Sequence, residues 1–172
     1  MRSLLNLTAA FLLQTTAVFA FTFPNIDGGQ IDLDDWKGRP VLVANTASLC
    51  AFTKQYDELQ ALYDTYKNMG LIVLTVPSDD FKQELGSNEQ VKEFCAVNFA
   101  LDLPMTHVTH VRGAKAHPFY RDVKAQIGFV PRWNFNKVLL DGSGKVVATF
   151  GAGAKPMGRA IRSEIDAILA SP

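Results

Sequence analysis

The strongest constraint on this chain is a pair of apolar runs, Val41-Leu42-Val43-Ala44 and Leu71-Ile72-Val73-Leu74-Thr75-Val76, separated by a helical pattern. Each run is continuous rather than alternating, which marks a strand covered on both faces. Between them the period changes from Thr53: Tyr56, Leu59, Leu62, Tyr63 and Tyr66 recur at helical spacing, with Gln55, Asp57, Glu58 and Lys67 interleaved. Gly70 closes that helix. Strand, helix and strand with short links predict a βαβ unit with parallel strands and a right-handed crossover.

The remaining punctuation extends this plan. Gln30-Ile31-Asp32-Leu33 alternates after the Gly28-Gly29 turn, as a short half-exposed strand does. Pro77 ends the second buried strand and opens a polar loop through Gly86. Ser87-Asn88-Glu89-Gln90 has the form of a capping box and predicts a helix carrying Val91, Phe94, Cys95 and Asn98. A further helix is read over His117 to Gln126. Asn134 to Leu140, the turn Asp141-Gly142-Ser143-Gly144, and Lys145 to Phe150 read as a β-hairpin. A closing helix runs from about Met157 to Ala170, with Ile161, Ile165, Ile168 and Leu169 as its apolar stripe. A βαβ half followed by a ββα half around one sheet is the plan of a thioredoxin-like α/β domain, a central mixed sheet flanked by helices.

At 172 residues and 48% apolar content the chain fits one domain with a sizeable core. Its 17 basic and 17 acidic residues balance and are dispersed, which argues against a nucleic-acid partner. Residues 1–20 form a different text. A short basic start, Met1-Arg2, precedes the apolar stretch Ala9-Ala10-Phe11-Leu12-Leu13, and Ala17-Val18-Phe19-Ala20 offers small residues to a signal peptidase. Asn6, Thr8, Gln14, Thr15 and Thr16 interrupt the run well short of the ~20 apolar residues of a membrane span. The expectation is a signal peptide cleaved after Ala20, a mature domain over 21–172 with no membrane segment, and a periplasmic or secreted location.

The two cysteines, Cys50 and Cys95, fall on different elements. Cys50 lies where the buried strand gives way to the helix, and a helix start favours thiolate, the nucleophilic form. Cys95 lies on the second predicted helix. An attacking thiol with a resolving one is one reading; a structural disulfide, common in oxidising compartments, is another. Zinc is disfavoured because no CxxC pair is present. His107 and His110 are spaced H-x-x-H, but on an extended segment they point to opposite faces, which does not suit one metal ion.

The stretch Asn45-Thr46-Ala47-Ser48-Leu49-Cys50-Ala51-Phe52-Thr53 resembles the signature of the glutathione peroxidases around their peroxide-attacking residue. Gly86-Ser87-Asn88-Glu89 and Trp133-Asn134-Phe135 match two further motifs of that family, in its order and at compatible spacing. The resemblance covers Phe23 to about Leu169 and implies a cysteine-type peroxidase that needs no organic cofactor or metal. It implies that Cys50 attacks the peroxide and becomes a sulfenic acid, and that Trp133 and Asn134 supply fixed N–H donors beside the sulfur. Asn45 is read instead as a structural polar residue at a strand end. Glu93-Phe94-Cys95-Ala96-Val97-Asn98-Phe99 resembles the resolving helix of members that use thioredoxin, so Cys95 is the candidate resolving thiol and a thioredoxin-like protein, rather than glutathione, the favoured reductant.

The chain departs from the family at one functional position. Asp79-Asp80-Phe81 replaces an Asn-Gln-Phe triplet in a loop one residue shorter, so Asp80 stands where the family has a Gln reaching toward the sulfur. An amide donates hydrogen bonds, whereas an ionised carboxylate only accepts them and raises a nearby thiol's pKa. Three arrangements are open: Asp80 turned to solvent toward Lys82, Asp80 protonated in the site, or a site weakened or redirected. Ala51 also replaces a family Gly. Two other functions compete with peroxide turnover: a redox sensor or relay passing a disulfide to a partner, and a degenerate relative with a structural disulfide.

Overall fold

The computed structural model describes residues 21–170; the signal-peptide reading of residues 1–20 lies outside them. β1 (Thr22–Pro24) and β2 (Gln30–Asp32) pair antiparallel as a separate ribbon, with Phe23 opposite Ile31. The main sheet contains β3 (Val41–Thr46), β4 (Ile72–Pro77), β5 (Lys137–Leu140) and β6 (Val146–Phe150) in the order β4-β3-β5-β6. β3 runs parallel to β4 and antiparallel to β5, and β5 antiparallel to β6. With helices packed on its two faces, this is the thioredoxin-like arrangement that the two apolar runs predicted.

The continuous apolar run of β3 is explained by where its side chains go. Leu42 and Ala44 join one core with Leu59, Leu62, Ile161 and Ile165, from α1 (Gln55–Tyr66) and α4 (Arg159–Leu169). Val41 and Val43 point the other way, into a core with Phe119 and Val123 of α3 (Pro118–Ile127). Period-2 alternation therefore distributes one strand between two cores, and no residue of β3 reaches solvent. α2 (Asn88–Phe99) starts as its sequence indicates, the Ser87 hydroxyl accepting the Gln90 N–H at 3.3 Å. His117 caps α3 through Nδ1, which accepts the Phe119 N–H at 3.3 Å.

Three boundaries differ from the sequence expectation. α1 begins at Gln55 rather than Thr53, because residues 51–54 are spent on turns that carry Cys50 away from β3. The hairpin strand begins at Lys137 rather than Asn134: Phe135 has φ of +61°, a left-handed conformation that no strand tolerates. The closing helix is trimmed at its start to Arg159.

One buried charge links these elements. Lys137 is fully enclosed on β5, and its ammonium donates to Gln55 Oε1 at 2.5 Å and to the Ala154 carbonyl at 2.6 Å. Gln55 Nε2 in turn donates to the Ala152 carbonyl at 2.7 Å. Burial lowers the lysine's pKa to about 8, with Glu58 opposing the shift. Replacing Lys137 with Met keeps the aliphatic stem and removes both bonds, so stability should fall by ~2 kcal/mol. The check is the urea midpoint, expected to drop at unchanged slope; an unmoved midpoint would show that the ammonium does not join β5 to α1.

Candidate active site

Three segments converge at the carboxyl end of β3. The first is the Cys50 turn. Cys50 is 8% exposed, and its sulfur accepts the Phe52 N–H at 3.4 Å. Thr53 folds the turn on itself: its hydroxyl oxygen accepts the Cys50 N–H at 3.0 Å and lies 2.6 Å from the Cys50 carbonyl, to which it can donate. Cys50 thus sits in an irregular turn with a backbone amide aimed at its sulfur. Ala51 occupies an ordinary negative-φ position, so no glycine is required there.

The second segment is the loop after β4, and it grips the first. The Leu49 N–H donates to the Gln83 carbonyl at 2.9 Å, and the Ser48 N–H to Glu84 Oε1 at 3.0 Å. Burial raises the pKa of Glu84 despite these donors. The third segment, Trp133 to Asn136, is held by Asn45 at the end of β3. Asn45 Nδ2 donates to the Trp133 carbonyl at 3.0 Å, and Asn45 Oδ1 accepts the Asn136 N–H at 3.2 Å. Its backbone N–H donates to the Asn136 carbonyl, and its carbonyl accepts from Phe135. Asn45 therefore shapes the turn that presents Trp133 and Asn134.

The second and third segments meet directly. Asn134 is fully buried, and its Nδ2 donates to Gln83 Oε1 at 3.0 Å. Its Oδ1 is buried without a partner among the described residues. Trp133 is 41% exposed and packs on Phe81, ring centroids 5.5 Å apart. Gln83 was not singled out by sequence reasoning. The available signal was the shortened loop: with one residue fewer, and Lys82 at φ of +59°, the next Gln in the chain swings in beside Asn134.

Asp80 points neither into the site nor toward Lys82. Lys82 pairs with Asp79 at 3.0 Å. The Asp80 side chain is only 11% exposed: Oδ1 lies 2.7 Å from His110 Nδ1, and Oδ2 accepts the N–H groups of Val111 at 2.7 Å and Arg112 at 3.1 Å. Burial alone would raise its pKa, but the bonds from His110, Val111 and Arg112 prevail and hold it below the usual carboxylate range. The physical reason is the loop after β4 lying against consecutive backbone donors that a carboxylate satisfies in pairs. Asp80 is therefore ionised and spent outside the sulfur's surroundings. His117 is occupied in capping α3 and stacking on Phe23, and among the described residues no group of three or more His, Cys, Asp or Glu could hold a metal ion.

Cys95 lies on the inward face of α2, 1% exposed, in the same core as Tyr56, Leu59 and Cys50. Both cysteines are free thiols. Burial pushes the Cys95 pKa up to about 11; the Tyr56 hydroxyl pulls it down and the Glu84 charge pushes it further up.

The family model for glutathione peroxidase matches residues 18–124. The chain belongs to the glutathione peroxidase family. It is 38% identical over 161 residues to the glutathione peroxidase-like peroxiredoxin 2 of Saccharomyces cerevisiae, covering 90% of this chain and 98% of the relative. It is 37% identical over 150 residues to a hydroperoxy fatty acid reductase of Synechocystis, covering 81% and 89% of the two chains. Its fold matches the crystal structure of a T. cruzi glutathione peroxidase with a TM-score of 0.70 at 32% identity, over 88% of this chain and 95% of that one. As a member of this family the protein is a peroxidase oxidoreductase.

The Cys95 environment gives a pH prediction with a definite sign. The folded state holds the Cys95 proton up to about pH 11, whereas the unfolded thiol releases it near 9. Below pH 9 both states bind the proton and stability is unaffected by this group. Between about 9 and 11 only the folded state still binds it, so stability should fall as pH rises through that window. The measurement is urea unfolding of wild type and Cys95→Ala across pH 8–11, with a shallower alkaline decline expected for Cys95→Ala; equal declines would exclude Cys95 as a source.

Proposed function

We propose that this protein reduces hydrogen peroxide and organic hydroperoxides through Cys50. The thiolate attacks the terminal peroxide oxygen, an S–O bond forms as the O–O bond breaks, and the leaving oxygen takes a proton to depart as water or alcohol. Cys50 is left as a sulfenic acid, oxidised by two electrons. A thiol then displaces the hydroxyl as water to give a disulfide, and a second thiol returns Cys50 to its reduced state.

The observation that carries this reading is the convergence at the end of β3. The Cys50 turn is bonded to the Gln83-Glu84 loop, and the Gln83 amide is bonded to Asn134. Neutral amide donors fixed beside a sulfur stabilise negative charge without reorganising during the reaction. In this assignment Gln83 does the work that resemblance by position would give to Asp80. Trp133, packed on Phe81, is assigned the role of a further N–H donor.

Cys95 is proposed as the resolving thiol, with a thioredoxin-like protein as final donor. Its burial requires α2 to open before Cys95 can reach Cys50. The same burial, with a pKa of about 11, also favours a second reading in which an external thiol attacks the Cys50 sulfenic acid directly. We also propose that residues 1–20 direct export, so that the mature protein begins at Phe21; amino-terminal sequencing of protein from the periplasm or culture medium tests this.

The deciding experiment adds one equivalent of hydrogen peroxide to the reduced protein and follows both cysteines by peptide mass spectrometry. Rapid Cys50–Cys95 disulfide formation, reversed by thioredoxin, supports the two-cysteine cycle. Sulfenic acid trapped on Cys50 with Cys95 untouched supports the external-thiol cycle. Two unmodified thiols after minutes would overturn the peroxidase reading. Replacing Gln83 with Ala is expected to lower kcat/KM for hydrogen peroxide by roughly tenfold to a hundredfold, while Asp80→Gln should leave the site without a compensating gain.

A further inference from the structure

We propose that Asp80 is a positioning residue for the peroxidase reaction: by anchoring the loop after β4 to residues 110–112, it holds Gln83 against Asn134. This deepens the peroxidase reading and rests on it. The carboxylate bonds run to His110 Nδ1 at 2.7 Å and to the N–H groups of Val111 and Arg112 at 2.7 and 3.1 Å. Asp80 therefore acts on the reaction through the loop that carries it.

That loop is held at both ends. At the near end the Thr109 N–H donates to the Pro77 carbonyl at 2.8 Å, so the 109–112 segment grips the loop at Pro77 as well as at Asp80. Phe81 follows, between the Arg112 guanidinium at 5.2 Å and the Trp133 ring at 5.5 Å. At the far end the Gln83 carbonyl accepts the Leu49 N–H at 2.9 Å, and Gln83 Oε1 accepts from Asn134 Nδ2 at 3.0 Å. Asp79 folds the turn between the ends: its carbonyl accepts the Lys82 N–H at 3.0 Å, and its Oδ1 the Glu84 N–H at 3.3 Å. The two neighbouring aspartates thus divide the work, one shaping the loop and the other tying it down.

Strain explains why an anchor is needed. Lys82, the residue before Gln83, has φ of +59°, a left-handed conformation that a lysine keeps only where its surroundings enforce it. Releasing the Asp80 end lets Lys82 relax to negative φ and turns Gln83 away. Asn134 Nδ2 then loses its acceptor inside a fully buried residue whose Oδ1 already lacks a partner among the described residues. The anchor suits this load, because an ionised carboxylate accepting from two consecutive backbone N–H groups makes charge-assisted bonds. With the side chain only 11% exposed, water competes little for those donors.

The test is a double-mutant cycle on hydrogen peroxide reduction, with dithiothreitol as saturating reductant, for wild type, Asp80→Ala, Gln83→Ala and the double variant. Asp80→Ala should lower kcat/KM for peroxide about tenfold in the wild-type background and less than about twofold in the Gln83→Ala background. Equal falls in both backgrounds would overturn the proposal, since a loss indifferent to Gln83 belongs to the fold at large. An unchanged kcat/KM for Asp80→Ala would overturn it too. Asp80→Asn keeps an acceptor oxygen for the backbone donors and should recover most of the loss. A rate above wild type for Asp80→Asn would instead show the carboxylate charge acting on the sulfur and sink the positioning role. His110→Ala removes one donor of three and should cost less than Asp80→Ala; the reverse order would move the role to His110. Alkylation of Cys50 by iodoacetamide, scored by peptide mass spectrometry, uses no peroxide and separates the two layers of the argument. Alkylation slowed by Asp80→Ala only while Gln83 is present, in a protein that consumes no peroxide, would retain the anchor and sink the peroxidase reading. Peroxide turnover indifferent to Asp80 would do the reverse.

Discussion

The active-site architecture depends on the four-point grip of Asn45 on the segment Trp133 to Asn136. A buried asparagine at the end of a central strand is costly unless its amide is satisfied. Here both side-chain atoms and both backbone groups are used on one partner segment. The grip permits the left-handed turn at Phe135, and that turn separates Asn134, drawn inward, from Trp133, left at the surface. The inward-drawn Asn134 is the residue whose amide reaches Gln83. A residue read from sequence as merely structural is the one that assembles the site.

Much of the fold was legible in the sequence because its signals were redundant. The β3 and β4 runs, the Ser87 cap, Gly70 at its φ of +109° and the apolar stripe of α4 each carry a local physical cause that survives tertiary packing. The parts that were missed lack such a cause. β1 is too short for a period, and its role is set by Ile31 across the ribbon. Residues 51–54 have helix-compatible composition, but the Thr53 hydroxyl diverts the backbone into turns.

The segments that meet at the end of β3 were legible in the sequence, and the side chains through which they meet were less so. The Cys50 turn and the Trp133-Asn134 segment are linked through the Gln83-Glu84 loop, by bonds that no sequence motif spells out. Asp80 shows the limit of reading by position. The Asp80 carboxylate is absorbed by the backbone of Val111 and Arg112, and Gln83 meets Asn134 instead. Its partner His110 had been weighed only as a metal ligand; its actual service, holding the loop after β4, depends on a contact across thirty positions.

Lys137 gives these contacts a mechanical meaning. The Cys50 turn hangs between two fixed ends, Asn45 upstream on β3 and Gln55 downstream, where the buried ammonium clamps the start of α1. Its flank is pinned by Gln83 and Glu84. A segment so moored has little freedom to travel toward a second thiol. α2 is held differently, by the Val108 N–H on Asn88 Oδ1 at 2.8 Å and by the Lys92–Asp27 ion pair at its surface. The Cys50 sulfur is thus fixed by mooring on both sides of its turn, whereas Cys95 is enclosed by the packing of a single helix.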